Sequence, residues 1–74
     1  MPIKTETARE LIIGACAGIA ENIRCVAIAA EAAQGLATAG LHGKAIQTLL
    51  DAEPYLHDAR KYLEIAAFVS RKAD

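Results

Sequence analysis

The chain has no tryptophan, one phenylalanine and two tyrosines. Tyr55, Tyr62 and Phe68 all lie in its last third, so no aromatic cluster can anchor a core in the first two thirds. The only prolines are Pro2 and Pro54, which leaves a long stretch free of helix breakers of that kind. Neither charge sign dominates: the net charge is −1. Residues 1–39 carry three basic and four acidic side chains, and residues 40–74 carry five of each. That balance gives nucleic acid no electrostatic footprint and lacks the polybasic face of a membrane-surface helix.

The two cysteines, Cys16 and Cys25, stand nine positions apart. At about 100° per residue they fall on opposite sides of one helix, so a local disulfide is excluded. Two reduced thiols in a cytoplasmic protein are expected, with Cys16 buried. With His42 and His57 they are the only soft metal ligands, and no Cys-x-x-Cys or His-x-x-x-His spacing occurs. No metal is expected. The uncharged runs at 11–20 and 32–43 are shorter than the roughly 18–20 apolar residues of a spanning helix, so no membrane insertion is expected. Ile13-Gly14-Ala15-Cys16 has the form of a lipoprotein processing box. The acidic Glu6 and Glu10 before it are foreign to a signal peptide.

Catalytic patterns are equally scarce. His57 and Asp58 are neighbours without an adjacent nucleophile, and Ser70 reads as a surface residue. No glycine-rich phosphate loop follows a strand, and no strand-type alternation occurs. The expectation is a protein that is not an enzyme and uses no cofactor.

What is abundant is alanine, with seventeen residues. Alanine favours helix but buries little area. A chain of 74 residues buries only about 60–65% of its unfolded surface. An all-α fold with close packing and a thin core follows, one that gains stability from a partner or a second copy.

The expected domain layout is an irregular arm over 1–6 and a single helical domain over 7–74. Thr7 and Glu10 fit a capping box opening the first helix. An apolar stripe then runs through Ile12, Cys16, Ile19, Ile23, Val26, Ala30, Ala33 and Ala37, in the four-three spacing of a helix packed on a helix. The spacing predicts one helix over 7–39, with a break near Asn22 as the alternative. Gly40 suits a left-handed C-terminal cap, and Leu41-His42-Gly43 completes a turn. A short helix over 44–53 follows, with Ala45, Ile46, Leu49, Leu50 and Ala52 as its apolar positions. Pro54 ends it, kinks it or starts the next helix. The last helix, to about Arg71, carries Tyr55/Leu56, Ala59, Tyr62/Leu63, Ala66 and Val69. The sum is a small antiparallel hairpin or bundle of three, at most four, helices. Ile65 and Phe68 lie off the last stripe, and Ile13, Ile28 and Leu36 off the first. Helices apolar on more than one side suggest burial on more than one side.

Gly40 followed by Ala45, Leu49 and Ala52, with Ala32, Ala33 and Leu36 upstream, resembles part of a tetratricopeptide repeat over residues 26–57. The repeat's tryptophan position holds Ala29, and its terminal proline comes early, at Pro54. Among small proteins with such a degenerate repeat, the chain resembles the chaperones of type III secretion needle subunits. The likeness rests on Val26-Ala27-Ile28-Ala29, on Leu36-Ala37-Thr38-Ala39-Gly40-Leu41, on Ala45 with Leu49-Leu50, and on Glu53-Pro54. It implies a bacterial cytoplasmic protein that holds an amphipathic needle helix in an apolar groove, joined by a small co-chaperone. The groove expected from the stripes is lined by Val26, Ala30, Ala33, Ala37, Leu41, Leu49, Tyr62, Ile65 and Phe68. The alternative is an obligate homodimeric bundle, structural or regulatory, built on the stripe from Ile12 to Ala37.

Overall fold

The computed structural model describes residues 2–73. They form α1 (Thr5–Thr38), α2 (His42–Asp51) and α3 (Glu53–Lys72). Among the described residues the one extended pairing is an isolated bridge between Ile3 and Ala73. The all-α hairpin is therefore as the sequence predicts, but it has two arms instead of three or four packed helices. α1 is one arm; α2 and α3 together make the other, bent at Ala52. Pro54 is the cause of the bend: it has no N–H for the Leu50 carbonyl, and its ring crowds that group. The chain absorbs this in one residue. Ala52 stays helical at φ −85°, ψ −9°. Its N–H donates to the Leu49 carbonyl at 3.1 Å, and its own carbonyl accepts from Tyr55 at 3.1 Å.

α1 is unbroken over 34 residues. At 1.5 Å per residue that is about 51 Å, close to the 55 Å long axis of the molecule. Asn22 lies within the helix, not at a break. Its side-chain amide donates to the Gly18 carbonyl at 2.8 Å. The start differs from the expected capping box. α1 begins at Thr5, so Thr7 and Glu10 are both interior, and the N-cap residue Lys4 makes no side-chain cap bond. The entry is fixed by the backbone. The Ile3 N–H donates to the Lys72 carbonyl at 2.8 Å, and the Ala8 N–H to the Lys4 carbonyl at 2.8 Å. The irregular arm is thus shorter than residues 1–6.

The turn is a Schellman motif. Gly40 has φ +84°. Its N–H donates to the Ala37 carbonyl at 3.0 Å, and the Leu41 N–H reaches back to the Leu36 carbonyl at 2.9 Å. α2 then begins at His42, earlier than expected. Once the cap closes at Leu41, nothing prevents His42 and Gly43 from joining the helix.

Alanine holds the arms together. Ala45, Ala52, Ala59, Ala66 and Ala73 recur every seven residues along the second arm. Ala8, Ala15 and Ala29 keep the same interval on α1, with Asn22 at the intervening step and Leu36 at the next one. A seven-residue interval keeps one face of a helix on its neighbour. The buried core is Ala8, Ala15, Ala33, Ala45, Ala52, Ala59 and Val69, none more than 7% exposed. At this seam Ile12, Ile19, Val26 and Ala33 hold the positions expected of them. Ala37, half-buried, also keeps its expected place, but three members of the predicted stripe do not. Cys16, Ile23 and Ala30 are exposed, and their places are taken by Ala15, Asn22 and Ala29. Two helices approach closely only where side chains are small, so the seam selects alanine and turns the larger residues outward.

Candidate interaction surfaces

The seam leaves most large apolar side chains uncovered. Among the described residues fourteen are more than a third exposed, among them Ile28 at 65%, Leu63 at 60% and Ile13 at 57%. Apart from Leu41 in the turn and Leu50, which shares the outer face of the second arm with Pro54 and Asp58, they fall on two sides of the seam.

The first side is marked by a shallow cavity of about 320 Å³ near the turn, lined by Ala30, Ala33, Gln34, Ala37, His42, Ala45, Ile46 and Leu49. At the far end the same side holds a second cavity, of about 370 Å³, with Arg9, Ile12, Ile13 and Ser70 in its wall. Between them, helical spacing places Cys16 and Ile23 of α1 beside Leu56 and Leu63 of α3. Leu49, Leu56 and Leu63 form a row seven residues apart, exposed by 45%, 50% and 60%. Cys16 is exposed, not buried as expected, because it sits on this flank next to the seam alanine Ala15.

The second side is organised by Gly18 and Tyr62. A Cβ at position 18 would stand 2.7 Å from the Tyr62 ring, so the absence of a side chain lets the ring lie on α1. Tyr55, Ile65 and Phe68 flank Tyr62 along α3, and the Lys72 ammonium lies 5.8 Å from the Phe68 ring centroid. Cys25, half-buried, faces this side.

The nine residues expected to line one groove are therefore divided. Ala30, Ala33, Ala37 and Leu49 share the cavity near the turn. Ala33 is buried in the seam and Val26 half-buried beside it. Leu41 sits in the turn. Tyr62, Ile65 and Phe68 lie across the seam from the cavity. The pattern missed Leu56 and Leu63 as surface-forming residues, although their seven-residue spacing from Leu49 was available as a signal.

The polar groups are scattered. His57 shares a shallow concavity with Glu53, Leu56 and Arg60. Ser70 is thirteen residues further along α3, about 20 Å away at 1.5 Å per residue. Among the described residues no three His, Cys, Asp or Glu side chains gather as a metal site would require. α1 is long and apolar enough, by length and composition, to cross a membrane, and only 6% of its most apolar window is buried. Each uncharged run alone falls short of that length, but within α1 the run at 11–20 continues past Glu21 and Arg24 into the uncharged stretch at 25–30. No family model, no curated protein and no solved structure matches the chain.

Proposed function

We propose that this protein is a helical interaction module whose working surfaces are the exposed apolar flanks of the hairpin. One observation carries the reading. Among the described residues every buried core side chain is an alanine or Val69, while fourteen large hydrophobic side chains face outward. Alanines bury too little area to stabilise a short chain by themselves. The large side chains contribute only when another apolar surface covers them. Helix-in-groove binding suits both flanks, each a shallow channel between two helices. Glu21 and Arg24, near the middle of α1, favour a protein surface over a bilayer interior, where each charge costs about 2.5–3.5 kcal/mol or more.

The resemblance to chaperones of type III needle subunits gives this reading its most specific form: a cytoplasmic protein sheltering an amphipathic secreted helix, with no catalysis and no cofactor. The turn at Leu36–Leu41 and the exposed flanks support it. The tetratricopeptide comparison has weaker support, since α1 alone spans 34 residues, the length of a complete repeat.

Sedimentation and apolar-dye fluorescence over a dilution series test the module reading. The isolated chain is expected to self-associate or to bind dye strongly. A monomer that persists at all concentrations, stays folded and leaves the dye dark would overturn it.

A further inference from the structure

We propose that a second copy of this chain covers the leucine side, with a two-fold axis passing between the two Leu56 side chains. The inference rests on the interaction-module reading and names its partner.

Area is the first argument. The chain exposes 5587 Å², against about 4,400 Å² for a compact monomer of 7.8 kDa. The excess is roughly 1,200 Å² per chain, or about 2,400 Å² for a pair, within the range of obligate homodimers. The radius of gyration agrees: 16.8 Å, against about 11 Å for a compact chain of this length. A slab with Cα extents of 55 × 14 × 11 Å is two helices wide and one layer thick, and stacking a second layer on it gives a four-helix bundle.

Self-complementarity is the second argument. A two-fold interface must match its own reverse. Reversed about Leu56, the row Leu49, Leu56, Leu63 maps onto itself: Leu56 meets its copy, and Leu49 meets the partner's Leu63. The adjoining row runs Ile46, Glu53, Arg60, Ala67. Reversed about nearly the same point, midway between residues 56 and 57, it brings Glu53 to the partner's Arg60 and Ile46 to the partner's Ala67. Apolar meets apolar and acid meets base in one register. A surface shaped for an unrelated helix has no reason to pair with its own reversal in this way.

Analytical ultracentrifugation of the full chain and its variants tests the arrangement, with helicity followed by circular dichroism. The wild type is expected as a dimer at micromolar concentration. Leu56→Glu should raise the dimer dissociation constant by about 100-fold or more, since two charges would then face each other in an apolar contact. Ile28→Glu, on the opposite flank of α1, should leave it unchanged. Glu53→Arg should weaken the dimer by about 3- to 10-fold, and the exchange Glu53→Arg with Arg60→Glu should recover most of that loss. Leu56→Cys in a Cys16→Ser, Cys25→Ser background should oxidise to a covalent dimer, which remains informative if Leu56→Glu fails to fold.

A folded wild-type monomer at about 100 µM, a concentration at which an obligate dimer stays associated, overturns the two-fold. So does a dimer indifferent to Leu56→Glu, or a Leu56→Cys variant that forms no covalent dimer. Binding to phosphatidylcholine vesicles in place of dimerisation also overturns it, assigning the flank to lipid. A monomer that still binds apolar dye would sink the dimer alone. A dye-silent monomer would sink the module reading as well.

Discussion

The ring of Tyr62 rests on Gly18, so close that a methyl group at position 18 would stand 2.7 Å from its Cε2 and Cζ atoms. Glycine costs an interior helix position about 1 kcal/mol relative to alanine, yet here that cost secures the placement of the largest side chain near the seam. Gly18→Ala should gain helix propensity and lose ring packing together, leaving stability near or below that of the wild type. In a Tyr62→Ala background the same substitution should stabilise by about 1 kcal/mol. Chemical denaturation of the four proteins measures the coupling; additive effects would show that ring and glycine do not interact.

Gly40 holds φ +84° with open space around it, so a substitution there meets backbone strain but no crowding. Gly40→Val should lower stability by about 1–2 kcal/mol, and Gly40→Asn by clearly less, because asparagine tolerates the left-handed region. Thermal melts of the two variants give the order. Equal stability of Gly40→Val and wild type would contradict the cap.

The seam should reject bulk. Ala59→Leu places three more carbons in the buried seam, and overpacking of this kind costs about 1–3 kcal/mol. By contrast, Leu63→Ala removes a side chain that is 60% exposed and should cost the isolated hairpin well under about 1 kcal/mol. Denaturant midpoints, taken at concentrations below any self-association, decide the comparison.

The thiols offer a chemical readout of the two flanks. Cys16 is exposed and Cys25 half-buried, so a maleimide should modify Cys16 first in dilute protein. If the leucine side is covered by a second copy, raising the concentration should slow Cys16 and leave Cys25 little changed. Mass spectrometry of peptides after timed quenching follows both sites.

Much of this architecture is legible in the sequence, and where it is not the reason is physical. Gly40 with Leu36 and Leu41 specifies the turn, since only one chain geometry uses a left-handed residue between apolar neighbours at that spacing. The continuity of α1 follows from the lack of proline. The orientation of α1 about its axis is harder to read. Cys16, Ile23 and Ala30 make as good a stripe as Ala15, Asn22 and Ala29 if hydrophobicity alone decides. Close approach rewards smallness, so the seam falls on the poorer hydrophobic set. The capping box failed because a tertiary bond, from Ile3 to Lys72, fixes where α1 begins. No local pattern records a contact between opposite ends of the chain. The lining residues were divided for the same reason. Helical phase assigns Tyr62 and Leu49 to apolar positions, and only the choice of seam places them on opposite sides.

The bond between Ile3 and Lys72 also has a use in protein engineering. It brings Ile3 and Ala73 side by side, at the end of the hairpin away from Gly40. A few flexible residues would suffice to join them, and reopening the backbone at Gly40 would yield a circular permutant with the same two arms in reversed order. Because closing so short a gap costs little entropy, the permutant should fold wherever the alanine seam, and not the original turn, determines how the arms align.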